Sequence, residues 1–455
     1  MEMILEFLRD VLSQPALLIG IMSCVGLIAL KRPFHKIMTG TLKPILGYLM
    51  LAAGAGVIVS NLDSLGKMIE HGFHITGVVP NNEAIVAVAQ KVLGVETMSI
   101  LVVGLLMNLL IARFTKFKYV FLTGHHSLFM ACLMSAVLGT AGLSGIELIL
   151  VGGFLMGAWS AISPAIGQSY TSKVTDGDEI ALGHFGSLGY YLSAWVAKYV
   201  GKAEESTEDI EIPEKWGFLR DSTLSTALTM IVFYLIAAIA AGSEFVATLS
   251  GSMSPYLFAV MSAMNFAVGV AIVYSGVRMI LGDLIPAFQG IATKIIPNAI
   301  PAVDCAVFFT YAPTAVVLGF ISSFIGGIIG MLILGAVGGV LIIPGLVPHF
   351  FCGATAGIYG NATGGRRGAA VGAFLNGLAI TFLPALALPV LGQLGFQNTT
   401  FGDADFAVMG LVLGNAFEWI GMAGIYGVVV IAALVLIIPN FIKTKGKVIN
   451  YVEEE

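Results

Sequence analysis

Along nearly its whole length the chain repeats one unit, an apolar stretch of about 20 residues closed by a short polar turn. That length is what an α-helix needs to cross the roughly 30 Å hydrocarbon layer of a bilayer. Apolar residues make up 57% of the chain and charged residues 11%, outside the range of a soluble domain, so most of the surface is expected to face lipid. The expected fold is therefore an all-α membrane protein with about eleven transmembrane helices. Their places are near 11–30, 44–60, 97–112, 119–138, 146–163, 223–242, 256–281, 299–320, 323–343, 369–391 and 408–439. The first, Val11 to Leu30, is not followed by a small-residue cleavage motif but directly by Lys31, Arg32 and Lys36, so it reads as a retained helix.

Orientation follows from the basic residues. With the N-terminus outside, every lysine and arginine of the 22 falls on the cytoplasmic side except Arg9, Lys67 and Lys91. The outer side collects Asp63, Glu70, Glu83, Glu96, Glu147, Glu244, Asp403 and Asp405. An odd number of spans then puts the C-terminus in the cytoplasm. Net charge is -5, and no basic patch, heptad run or low-complexity tract points to nucleic acid. Cys24, Cys132, Cys305 and Cys352 stand singly in apolar segments, without the spacing of a metal site, disulfide framework or redox dithiol. No metal and no cofactor are expected.

Residues 61–96, 164–222 and 344–368 are too long for tight turns and contain glycine- and aromatic-rich pieces, Gly183 to Gly201 and Gly345 to Gly360. Such pieces suggest re-entrant or broken helices, which persist at membrane depth only where protein buries them or they line a watery cavity. Lys202 to Arg220 reads KAEESTEDIEIPEKWGFLR, an exposed connector. It divides the chain into an N-terminal membrane half over 1–201, the connector over 202–222 and a C-terminal half over 223–455. Lys36, Gly40, Leu42 and Pro44 match Arg278, Gly282, Leu284 and Pro286 in type and spacing, which suggests an inverted repeat. The 56 glycines suit closely packed membrane helices and hinges.

Ionisable side chains at the centre of a span cost at least about 2.5 kcal/mol, so those in apolar company are the candidates for function. Asp304, in IPAVDCAVFF between Pro297, Pro301 and Pro313, is the clearest, because prolines there free backbone groups for a ligand; the bland alternative is a carboxylate satisfied by a neighbouring helix. His125 and His126 lie in LTGHHSLF and His184 in LGHFGSLGYY, where the preceding glycines allow close backbone approach and imidazole can bond hydroxyls. His349, in LVPHFF, has weaker support, and His35, His71 and His74 read as loop residues. Asn82 and Glu83, in PNNEAI, are either ligand groups on the outward side or a solvated helix cap.

The runs LTGH, VTDGDEIALGH, KAEESTEDIEIP and AVDCAVFFTYAPTAVV, with TLKPILGYLMLAAGAGV near the start, resemble the ascorbate-specific membrane subunit, enzyme IIC, of the bacterial phosphoenolpyruvate-dependent sugar phosphotransferase system, within the ascorbate/galactitol superfamily. The resemblance covers nearly the whole chain. It implies a homodimer whose protomers each have a core domain carrying the sugar site and a second domain making the dimer contact. It also implies inward group translocation, with L-ascorbate or a related sugar acid or polyol phosphorylated by a separate IIB protein supplied by IIA, HPr and enzyme I. On this resemblance the sugar site falls on Asn82, Glu83, His125, His126, Ser127, Leu128, Phe129, His184, Phe185 and Asp304, with Asp304 as candidate catalytic base. Phe129 and Phe185 stand where ascorbate-binding members are expected to have glutamine, so an apolar face replaces a group that both donates and accepts. An ion-coupled secondary transporter is the main rival reading. A membrane-embedded enzyme or sensor lacks a metal-ligand pair, a nucleophile motif and a signalling domain.

Overall fold

The computed structural model describes residue 11 and residues 14–74, 77–80, 82–210, 222–392 and 399–441; within its helices the side chains of 83–94 and some scattered positions lie outside the description. Helix α1 (Pro15–Ala29) starts on a proline after extended Gln14, where a missing N–H costs nothing. Lys31 in the left-handed region, φ 53°, and extended Pro33 separate it from α2 (Phe34–Phe73), which runs 40 residues to a left-handed His74. Then come β1 (Val79–Pro80), α3 (Asn82–Phe114), β2 (Tyr119–Phe121), α4 (Gly124–Thr140), α5 (Gly145–Thr175), β3 (Ala181–Leu182) and α6 (Ser187–Val200). Beyond the connector follow α7 (Ser222–Ala241), α8 (Ser243–Ser250), α9 (Pro255–Lys294), β4 (Ile300–Val303), a 3-10 turn (Cys305–Thr310) and α10 (Pro313–Ala336). The described chain closes with α11 (Leu346–Gly392), β5 (Thr399–Thr400), α12 (Ala404–Ile420), α13 (Met422–Ile437) and a last 3-10 turn (Ile438–Phe441).

The protein is an all-α membrane protein in its bulk, with five strands of two to four residues among the described residues. Among the described residues, 7 helices are long and apolar enough to cross a membrane, or 8 if α7 and α8, bent by 118°, make one span. About eleven were expected from the sequence, and the difference has identifiable causes. The stretches 119–138 and 299–320 open as strands, and 408–439 is cut at Gly421, φ 63°. Helices α1, α4 and α12 have 15, 17 and 17 residues. The expected broken segment at 344–368 is the first part of α11, which leaves helical geometry at Gly364 and Gly365. Residues 61–73 continue α2 and 164–175 continue α5.

Helix contacts sort the elements into two groups. In the first, α2 and α9 pack along each other with α1, α7 and α8 around them. A Cβ on Gly47 would lie 2.8 Å from the Gly276 carbonyl oxygen, and one on Gly54 would lie 2.7 Å from that of Gly269. The α2 and α9 backbones thus cross at a distance that only glycine permits. At one end of this pair Lys43 reaches Asp283 at 3.4 Å, which brings the two copies of the suspected repeat together. An inverted repeat would place them at opposite ends, so that match does not carry one. In the second group α11 packs on α6, α10 and α12, while α3, α4, α5 and α13 close the other side.

The strands lie inside the second group. The order is β2-β4-β3, all parallel, and β1 pairs in parallel with β5. Their backbones satisfy one another, as Leu122 N–H donating to the Ala302 carbonyl at 2.9 Å and Gly183 N–H to that of Val303 at 2.7 Å illustrate. Non-helical backbone at this depth requires such pairing.

Candidate functional site

Each strand hands its chain on to a candidate side chain. His125 and His126 follow β2, His184 follows β3, Asp304 follows β4, Asn82 follows β1 and Asp403 follows β5. Parallel pairing puts the carboxyl ends of β2, β4 and β3 on one side of their sheet and those of β1 and β5 together at one end of their pair, and ligands commonly sit beyond the carboxyl ends of parallel strands. There a cavity of about 1060 Å³ opens between the two helix groups, walled by α2 and α7 on one side and by these strand ends with α10 and the start of α11 on the other.

Asp304 caps the 3-10 turn. Its Oδ1 accepts from the Ala306 N–H at 3.0 Å, while Oδ2 is buried without a hydrogen-bond partner. His125 Nε2 lies 3.4 Å from that oxygen but off the line of a hydrogen bond. Asp304 is thus a buried carboxylate with one oxygen still able to accept, in the wall of the cavity. The ring of His126 lies against that of His184, 3.8 Å between centroids. Phe185 N–H donates to His126 Nδ1 at 3.3 Å, and Gly186 N–H donates to His184 Nδ1 at 3.1 Å. A ring nitrogen that accepts from a backbone N–H carries no proton, so each neutral ring bears its proton on Nε2.

Two aspartates missing from the sequence-based site complete it. Asp403 accepts from Asn82 Nδ2 at 2.6 Å and from the Cys352 thiol at 2.9 Å, and its Oδ1 lies 3.9 Å from His184 Nδ1. Asn82 Oδ1 in turn accepts from Gly402 N–H at 2.9 Å, which locks the ends of β1 and β5 together. Asp405, fully buried, accepts from the Ser187 hydroxyl at 2.7 Å, Leu188 N–H at 2.9 Å and Trp159 Nε1 at 3.2 Å. Its own N–H donates to the Phe185 carbonyl at 2.9 Å, so it sets the His184 loop from below. Both aspartates sit in GDAD, which reads in sequence as an outer turn.

Asn82, His125, His126, Phe129, His184 and Asp304 line the cavity; Ser127, Leu128 and Phe185 are not among its lining residues. Ser127 is buried with its hydroxyl on the Thr123 carbonyl, and the Phe185 ring stacks on Phe121, 4.6 Å between centroids. The Glu83 side chain lies outside the described residues. His349 is tied to Ser323 at 2.9 Å. Asp63, Lys67 and Glu70, expected in an outer connection, instead share one face of α2 and line the cavity.

His126, His184 and Asp403 hold potential ligand atoms within 4.8 Å of one another. Metal coordination needs a bare ring nitrogen aimed at the ion. With both Nδ1 lone pairs taken by backbone N–H groups, the neutral rings offer N–H donors instead. Donors on Nε2, carboxylate acceptors and the Phe129 ring form a set that fits a hydroxylated organic molecule better than a metal.

A curated relative, the "Ascorbate-specific PTS system EIIC component" of Mycoplasma pneumoniae, is 26% identical over 417 residues, covering 78% of this chain and 62% of the relative. The chain therefore spans less than two thirds of that relative's length. The family model described as "PTS system sugar-specific permease component" matches residues 10–405, which takes in the first helix group, the second as far as the start of α12, and every cavity residue named above. The chain belongs to the PTS system sugar-specific permease component family.

Proposed function

We propose that the protein carries L-ascorbate or a related sugar acid or polyol inward and presents it for phosphorylation by a separate IIB protein. The observation that carries this reading is the unpartnered Oδ2 of buried Asp304 in the wall of a cavity between two helix groups, within a sugar-permease family. A carboxylate at this depth needs donors, and a polyhydroxylated solute brings several. His126 and His184 donate from Nε2, Asp304 accepts, and Phe129 gives an apolar face to a ring or carbon chain.

In this reading the core group moves against the α2–α9 group in an elevator-like or rocking step, as a homodimer with its C-terminus in the cytoplasm. A substrate hydroxyl then attacks the phosphorus of a IIB phosphocysteine. The oxygen–phosphorus bond forms, the phosphorus–sulfur bond breaks, the thiolate leaves, and Asp304 takes the hydroxyl proton. Position and charge do most of this work, since phosphoryl transfer needs little covalent help. The ascorbate reading draws support from the relative's name.

An ion-coupled carrier is the second reading, favoured by the His126–His184–Asp403 cluster, although the engaged Nδ1 atoms count against a bound ion. The test is a binding screen of sugar acids and polyols on purified protein. Saturable binding of one of them that Asp304→Asn weakens supports the sugar site. Binding of none, with sodium-dependent stabilisation instead, favours the rival.

A further inference from the structure

Tyr48 stands on α2, in the first helix group, and its ring is buried against the cavity. Its hydroxyl lies 3.1 Å from Nδ1 of His125, which belongs to the second group. The bond therefore joins the two groups at the side chain that stands beside Asp304. Elsewhere across this boundary Phe233 of α7 meets Phe320 of α10, and Phe266 of α9 meets Phe350 of α11, at 6.2 and 5.0 Å between centroids. Ring contacts tolerate a range of angles, whereas a hydrogen bond is lost once its partners separate or turn. Tyr48 is thus a directional tie set beside these ring contacts between the two groups.

The geometry also suits one arrangement of the protons. His125 Nε2 lies toward the Asp304 carboxylate, and in the neutral tautomer protonated there Nδ1 accepts a hydrogen bond from the Tyr48 hydroxyl. The His125 side chain is 39% exposed against 9% for Asp304, so a solute in the cavity meets the histidine first. A hydroxylated solute offers the same donor that Tyr48 offers, beside a carboxylate whose Oδ2 has no hydrogen-bond partner.

We propose that Tyr48 is a positioning residue that latches the two helix groups together through His125, and that a bound solute releases the latch by replacing the tyrosine hydroxyl at Nδ1. The inference rests on reading the cavity as the sugar site and the two groups as moving bodies. It goes beyond that reading in naming the contact that holds the two groups in the arrangement described here.

The test reads the separation of the groups without any solute. Spin labels are placed at Ser60→Cys on α2 and Thr140→Cys on α4, both exposed, with half-buried Cys24 changed to alanine and the other three cysteines buried. In the full chain in lipid, one distance is expected to dominate. Tyr48→Phe, which removes only the hydroxyl, is expected to raise the population of a second distance about threefold to tenfold, the scale of one neutral hydrogen bond. Tyr234→Phe is the control, because that hydroxyl donates to the Asn61 carbonyl at 2.6 Å wholly within the first group, and it should leave the distribution unchanged. An unchanged distribution in Tyr48→Phe, or an equal shift in Tyr234→Phe, overturns the latch.

A second contrast does not depend on the tyrosine variant folding. His125→Asn keeps an acceptor where Nδ1 stands and should hold the wild-type distribution, whereas His125→Gln does not and should shift it. The reverse order, or equal behaviour of the two, also overturns the proposal. Addition of L-ascorbate or galactitol separates this inference from the one beneath it. If the label distances respond to Tyr48→Phe but to neither compound, the sugar assignment fails while the tie between the groups stands.

Discussion

At the scale of single residues, Asp304 and the two phenylalanines make the sharpest claims. Asp304→Asn keeps shape and one acceptor but removes the charge. It should insert and fold normally, bind solute more weakly by about 1.5 to 3 kcal/mol, and lose transfer to product. Isothermal titration beside size-exclusion profiles checks this; loss of binding together with loss of fold would support a purely structural carboxylate. Phe129 and Phe185 should part company. Phe129→Gln alters solute affinity without unfolding the protein, because the ring faces the cavity. Phe185→Gln buries an amide where a ring stacks on Phe121 and should cost about 3 kcal/mol of stability, seen as a lowered melting temperature. Asp304, His125 and His184 were legible in the sequence because polar groups in apolar company are costly. Asp403, Asp405 and Tyr48 were not. The aspartates resemble an ordinary outer turn until β1–β5 pairing, across some 320 residues of chain, brings Asp403 to Asn82. Tyr48 looks like one more aromatic residue in a span.

At the scale of elements, the short strands and the helix breaks decide where the site forms. Strands such as Tyr119–Phe121 are too brief to differ in sequence from the start of a span, which is why 119–138 and 299–320 read as helices. Pro297 and Pro301 were the signal available, since neither suits a helix interior. The break in α11 has its own partner. Gly365 has φ 59°, and a Cβ there would lie 2.3 Å from the Lys202 carbonyl oxygen, while Arg366 N–H donates to the Glu205 carbonyl at 2.8 Å. Glu208 then accepts from Thr314 N–H at 3.0 Å and Ala315 N–H at 3.1 Å, capping the start of α10. The connector, expected as a simple link, is thus bound to two core helices. Glu208→Ala should lower stability by about 1 kcal/mol, the worth of a helix cap. Gly365→Val should free the connector outright, read as faster proteolysis between 202 and 210. Unchanged cleavage would mean that the connector is held by other contacts.

At the scale of the molecule, the helical membrane class and the permease family were both legible, because hydropathy and collinear motifs survive without knowledge of contacts. The grouping of α1, α2 and α7–α9 against the remaining helices was not, since it depends on glycine-spaced crossings between distant segments. That grouping sets the cavity between two bodies and leaves Lys202 of the connector exposed, with Arg366 and Arg367 exposed at the nearby break in α11. If IIB docks there, changing the three to glutamate should slow phosphorylation in a salt-dependent way and leave solute binding intact, as stopped-flow assays against titration would register. The most direct measurement is uptake into vesicles holding this protein, with labelled L-ascorbate or galactitol and phosphorylated IIB on the cytoplasmic face. The account predicts solute phosphate on that face, formed only with the donor, and at most slow equilibration without it. Uphill accumulation of unmodified solute, driven by a proton or sodium gradient with no donor present, would contradict it.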